Sequence, residues 1–148
     1  MTVLTGDYFE DVVLGNLLTW PGVRFQYFWI PGEPVPNERP RIISRGGKSW
    51  AFTPSTTMKA RQAILNNVLL TQKERFEPPY SVAVKFVLSP GQKDFDLDNG
   101  VKSVMDALFS NKKVLPPMPF KDDRYIKNLV CFKRVGTNPG IHLWVTKA

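Results

Sequence analysis

Tyr80-Ser81-Val82-Ala83-Val84-Lys85-Phe86-Val87-Leu88, the turn Ser89-Pro90-Gly91, and Phe95-Asp96-Leu97-Asp98-Asn99 leading into a run that ends near Phe109 form the stretch that decides the fold. In its first part Val82, Val84, Phe86 and Leu88 recur at every second position, the period of a strand with one buried face. Past Asp98 the period changes. Val101, Val104, Met105 and Leu108 fall on one side at about 100° per residue, which predicts a helix over about Asp98–Phe109 with a core stripe. The chain concentrates its acidic chemistry at this strand-to-helix junction.

Upstream, Thr53-Pro54-Ser55 is a helix start, with Thr53 as cap and Pro54 at the first helical position. The helix runs to about Lys73 on an apolar stripe of Met58, Leu65, Val68 and Leu69, with Ile64 at its edge. Arg41–Ser44 and Lys48–Phe52 read as two short strands joined around Gly46-Gly47. Pro34, Pro36 and Pro40 keep the preceding segment extended. Val23–Ile30, aromatic and β-branched, is the first core strand and stops at Pro31-Gly32. A short helix over Tyr8–Thr19, closed by Pro21-Gly22, precedes it. Downstream, Asn111–Phe120 carries Pro116, Pro117 and Pro119 and is a loop. Tyr125–Arg134 and Ile141–Thr146 are two final strands, expected as a hairpin across Gly136–Gly140. The expected class is α+β: a two-layer single domain, a mixed β-sheet with two main helices on one face.

The 148 residues fit one domain large enough for a real core. No apolar run approaches the roughly 20 residues that span a bilayer, so no membrane association is expected. Asp7, Glu10 and Asp11 stand where a secretory leader would be basic and then apolar. Cys131 is the sole cysteine, which excludes an internal disulfide and suits a reducing cytoplasm. The net charge is +7, unevenly spread. Residues 1–23 hold three acids and no Lys or Arg, while residues 24–148 hold all 20 bases and 10 acids. A surplus of this size favours a phosphate polyanion as partner.

Against that background the acids are conspicuous. In extended chain Asp96 and Asp98 share a face while Leu97 turns to the core. Two carboxylates so close repel each other, and a divalent cation with oxygen ligands, Mg²⁺ above all, removes the penalty. A solvated acidic turn with Asp98 capping the helix is the simpler alternative. Asp98, Lys102 and Asp106 are spaced by four and line the helix side opposite the core stripe. They describe either a surface ladder of ion pairs or a lysine aimed, beside metal-binding carboxylates, at a phosphate. Asp122-Asp123, just before a strand, can return to the Asp96–Asp98 strand end or serve as a polar turn. Asp94 shares their parity as an extra ligand or plain surface.

Arg39, Arg41, Arg45 and Lys48 cluster on the Gly46-Gly47 hairpin, where arginines contact phosphates and glycines let backbone approach. Trp50 and Phe52 beside them are read as core rather than as base-stacking rings. Lys112, Lys113, Lys121, Arg124, Lys127, Lys133 and Arg134 add a second basic set. His142 is read as structural and Cys131 as an apolar filler.

Taken together, Asp96-Leu97-Asp98-Asn99, Lys102, Asp106-Ala107-Leu108 and Asp122-Asp123 with Ile126 resemble the RusA-like Holliday-junction resolvases of bacteria and their phages. Pro31-Gly32-x-Pro34, Arg39-Pro40-Arg41 and Thr53-Pro54 resemble the phage branch of that family. The resemblance covers about residues 24–148, leaving residues 1–23 as an N-terminal extension of unknown role. It implies that Asp96, Asp98 and Asp123 are metal-binding catalytic carboxylates and that Lys102 lies near the scissile phosphate. Asn99, Asp106 and Asp122 are implied as supporting residues, with Lys121 and Arg124 joining the hairpin bases on DNA. It further implies Mg²⁺, with Mn²⁺ as the alternative, a homodimer, and paired cuts across four-way DNA in the cytoplasm of a bacterial or phage-infected cell. The chain departs from the family where a run of arginines often precedes the Asp-x-Asp pair; only Lys93, Asp94 and Phe95 stand there. The long proline-rich loop leaves the choice between Asp122 and Asp123 open. Two other readings are a non-catalytic DNA-binding module of the same fold and a nucleotide-processing metal enzyme.

Overall fold

The computed structural model describes residues 6–38, 41–52, 54–110 and 118–147. In chain order the elements are α1 (Gly6–Leu18), β1 (Gln26–Pro31), β2 (Arg41–Arg45), β3 (Lys48–Phe52), α2 (Ser55–Thr71), β4 (Tyr80–Leu88), α3 (Leu97–Leu108), β5 (Ile126–Val135) and β6 (Gly140–Lys147). A 3₁₀ turn over Asp123–Tyr125 leads into β5. The α+β class holds. Among the described residues no helix is long and apolar enough to cross a membrane.

β4 is, with β6, an interior strand of a sheet ordered β1-β6-β4-β5. β6 lies antiparallel to it, with Val84 opposite Leu143, and β5 lies parallel, with Val84 opposite Cys131. The expected β5–β6 hairpin is therefore not formed, because β4 stands between the two strands. The connection crosses the end of β4, where the Gly136 N–H donates to the Leu88 carbonyl at 2.9 Å. Burial explains the order. β4 buries Ala83 and Val87 on one face as well as Val82, Val84, Phe86 and Leu88 on the other. A strand apolar on both faces belongs inside a sheet, and β5, which leaves Leu129 exposed, belongs at its edge. Parallel β4 and β5 need a crossover, and α3 supplies it. The helix that carries the acids is thus the middle of a β-α-β unit.

α2 and α3 pack on one face of the sheet. Ile64 and Val68 of α2 and Val104, Met105 and Leu108 of α3 share one core with Phe28, Phe86 and Leu143. The stripe of α2 is rotated from expectation: Thr57, Ile64 and Val68 are buried, while Met58 is half exposed. Residues seven and eleven apart stack along a helix, and this row is the one that meets β1 and α3. Pro54 takes the N-cap position of α2, and Thr53 lies outside the described residues.

The reverse face receives α1, whose buried Glu10 pairs with Lys85 of β4. Replacing Glu10 with Gln strands the Lys85 ammonium among buried groups. We expect a loss of about 2 kcal/mol, read as a lower urea midpoint at unchanged slope.

Among the described residues β2 and β3 pair only with each other. Gly46 and Gly47 have φ of +56° and +78°, the conformation a two-residue hairpin turn requires. The expectation that Trp50 and Phe52 are core fails: they are 46% and 38% exposed. Among the described residues no layer covers this hairpin, so its rings stay in solvent.

Candidate active site

Asp96 occupies the N-cap position of α3, and Asp98 lies in its first turn. The extended-chain argument for the pair does not hold, because the strand ends at Leu88 and helix begins at Leu97. The two are therefore not alternate positions of one strand: Asp96 precedes the helix and Asp98 lies inside it. What fixes this turn is packing beneath it. A Cβ on Gly100 would lie 2.6 Å from the Phe95 ring and 3.1 Å from the Phe86 ring, so only glycine lets α3 come down this far. Lys133 of β5 holds the approach, donating to the Phe95 carbonyl at 2.6 Å and pairing with Asp94 at 2.8 Å. Asp94 is thereby tied to Lys133, whose proton donation holds its carboxyl below the usual range.

Asp98, Lys102, Asp106 and Asp123 line one cleft between α3 and β5, above an apolar floor. All four are exposed. The ladder of i,i+4 ion pairs is not formed. Asp106 turns instead to Arg61 of α2, at 3.1 Å, and accepts from Asn37 Nδ2 at 3.2 Å. Among the described residues Asp98 and Lys102 have no hydrogen-bond or ion-pair partner. An unpaired ammonium beside an unpaired carboxylate is an arrangement open to a ligand.

Arg61 is a residue the sequence did not single out. Besides Asp106 it donates to Asn37 Oδ1 at 2.6 Å, and the Asn37 N–H donates to the Asn99 carbonyl at 3.2 Å. This network pins the 33–38 segment, the root of the hairpin, to the first turn of α3. Its signal in sequence was faint: one arginine on a helix, distant from both partners. Arg61→Met removes a bond to the partly buried Asn37 and an ion pair to the exposed Asp106. We expect it to cost about 1 kcal/mol in denaturant titration and to loosen the hairpin root from α3.

Asp122 and Asp123 are placed by an aromatic cluster. Phe120 stacks on Phe109 at 4.8 Å and meets the edge of Tyr80 at 5.5 Å. The Tyr80 hydroxyl accepts from the Lys121 N–H at 3.0 Å. The chain then turns, with Asp122 accepting from the Arg124 N–H at 3.1 Å. Asp122 is thus the capping residue, and Asp123 is the one that lines the cleft. The carboxyl of Asp123 is pushed up, by its hydrogen bond with Asp122, by burial and by the negative charges of Asp122 and Asp106. Asp122 is held down, first by the Arg124 N–H and then by Asp123.

The donors suit a hard divalent cation. All are carboxylate oxygens, and like charges gathered on one rim are what a cation neutralises. Among the described residues no three His, Cys, Asp or Glu side chains converge into a ready ligand set. Mg²⁺ keeps several waters and needs only one or two carboxylates, so the set still fits that ion.

The basic candidates fall in different places. Arg45 and Lys48 face each other across the hairpin tip and are exposed. Arg41 stands on β2 opposite Phe52. Arg39, Lys112 and Lys113 lie outside the described residues. Lys121 pairs with Glu77 at 2.8 Å, and Arg124 lies over the Tyr125 ring at 4.9 Å with a bond to its hydroxyl. His142 is structural, stacked between aromatic rings and bonded to the Tyr27 hydroxyl at 2.7 Å. Cys131 is half-buried on the cleft floor rather than fully in the core.

Comparison with curated proteins found no significant match. The sequence profile described as Endodeoxyribonuclease RusA matches residues 31–146, which include the hairpin, α3, the cleft and both halves of the Asp122-Asp123 turn. That match covers well over half of the chain, and the chain belongs to the RusA endodeoxyribonuclease family.

Proposed function

We propose that this chain is a structure-selective DNA endonuclease that resolves four-way junctions by paired, Mg²⁺-dependent hydrolysis, acting as a homodimer. The observation that carries the reading is the cleft in which unpaired Asp98 and Lys102 stand beside Asp123, inside the region of the family match. Asp98 and Asp123, which line the cleft, would hold the ion, with Asp96 at the N-cap of α3 as a third carboxylate beside them. Bound there, Mg²⁺ supplies charge neutralisation and lowers the pKa of a coordinated water. Lys102 brings its ammonium to the phosphate, where negative charge grows as the bond to the leaving oxygen breaks. Asn99 and Asp106 keep the hairpin root on α3, through the Asn37 N–H and through Arg61. The exposed bases at the hairpin tip track the DNA backbone and set its position without reading sequence. Two cuts related by symmetry need two sites on a two-fold axis, which a dimer provides.

Mapping the cuts on a four-way junction with each strand end-labelled tests the reading. Nicks at two-fold related positions near the branch point are expected. Nicks scattered along the arms, or equal cutting of linear duplex, would remove the structure selectivity. One observation favours a second reading, a non-catalytic DNA-binding module: no three carboxylates converge among the described residues. Salt-sensitive junction binding with no nick in any divalent metal would establish it.

A further inference from the structure

The cleft beside α3 has a floor that hydrolysis of a phosphodiester leaves unexplained. Leu97, Val101, Met105, Leu129 and Cys131 form it, in a volume of about 550 Å³. Leu129 faces the helix layer, since it pairs in register with core residue Val82, yet it is 45% exposed. Cys131, two residues on, is only half-buried. The edge strand thus shows solvent the side chains that a central strand would bury.

Size and charge narrow what covers this floor. Five apolar residues are far fewer than the roughly 20–30 per side in a stable protein interface, so the cleft does not suffice to hold a second copy of the chain. Its rim carries Asp98, Asp106 and Asp123, which admit an anion only at the cationic side of the cleft, and Lys102, which has no protein partner among the described residues. An occupant that satisfies both parts joins an anionic group for Lys102 to a flat apolar group for the floor. A nucleotide has that form, because its sugar carries a base away from the phosphate.

We propose that the α3–β5 cleft takes the nucleobase next to the phosphate that Lys102 holds, drawn out of the stack at the branch point. The proposal rests on the nuclease reading and deepens it. Extruding a base costs least where its pairing and stacking are already disturbed, so a base cleft at the site also favours branched over linear DNA. Leu129, at the open edge, is then a specificity-determining position that bears on which base is accepted.

The test uses junctions with 2-aminopurine at each position around the branch point, bound to the wild-type chain in chelator so that nothing is cut. Fluorescence is expected to rise at one position on each symmetry-related strand. Leu129→Asn, at an exposed site that tolerates a polar side chain, is expected to abolish the rise without adding charge. It should also weaken junction binding about tenfold while leaving affinity for linear duplex unchanged. A second measurement needs no variant: the Cys131 thiol should react more slowly with a disulfide reagent when junction DNA is bound, and not when linear duplex is bound. Tight junction binding with no fluorescent position, a rise that survives Leu129→Asn, or an unprotected Cys131 would overturn the base cleft and leave the nuclease reading standing. Failure to bind the junction at all would overturn the nuclease reading itself, and the base cleft with it.

Discussion

Asp98→Asn is expected to lower junction cleavage by about a thousandfold or more while leaving junction affinity within about twofold. Removing one group that acts on transition-state charge costs several kcal/mol. Asp98 has the full exposure and the free carboxylate that this role needs. Asparagine keeps the size and one oxygen, so α3 should be undisturbed; the N-cap at Asp96 and the glycine contact at Gly100 do not involve this side chain. Binding is supplied elsewhere, by the hairpin tip. Single-turnover cleavage and anisotropy titration separate the two quantities. Equal loss of both would mean that Asp98 holds the fold or the DNA rather than the reaction.

Phe120→Ala should be the most damaging change outside the rim of the cleft. Phe120 is 1% exposed and touches three rings: Phe109, Tyr80 and Phe28. Its N–H donates to the Leu108 carbonyl at 3.3 Å, tying the Phe120–Asp123 segment to the end of α3. Truncating a buried phenylalanine costs about 3–5 kcal/mol. In a chain of this length that is a fall in melting temperature of roughly 10–15 °C. The same change frees the Lys121–Asp123 turn, so cleavage measured below the new midpoint should fall further than DNA affinity does. A Phe120→Leu variant, which keeps most of the volume, should recover both in part.

Much of this was legible in the chain. The period-2 run in Tyr80–Leu88 and the helical stripe of Val101, Val104, Met105 and Leu108 found β4 and α3 because packing had written strong, regular patterns there. Gly46-Gly47 found the hairpin because only glycine readily takes that backbone conformation. The sheet order was not legible. Strand pattern says that Ile126–Val135 and Gly140–Lys147 exist, but short connections favour neighbours, and only the two-faced burial of β4 forces them apart. Ala83 and Val87 held that hint within an otherwise one-faced run.

The site divides in the same way. Asp98, Lys102 and Asp123 were found by residue type and spacing, and they share a cleft. Sequence does not distinguish Asp122 from Asp123; in the structure Asp122 caps the turn and Asp123 lines the cleft. Arg61 and Asn37 escaped notice because their meaning lies in contacts across 45 and 69 residues of chain. Lys133 looked like a base for DNA and is occupied in holding the loop before α3. Long-range polar bonds leave no periodicity, and so a sequence does not display them.

The most direct test of the central claim, that the α3–β5 face hydrolyses branched DNA with a divalent cation, is the rate at which the wild-type chain cuts a synthetic four-way junction as Mg²⁺ is titrated from zero. Cutting that is absent in chelator, saturates with Mg²⁺ and is at least tenfold faster on the junction than on linear duplex is the expected result. A rate independent of Mg²⁺ and of its substitute Mn²⁺, or a junction bound tightly and left intact at every concentration, would contradict it.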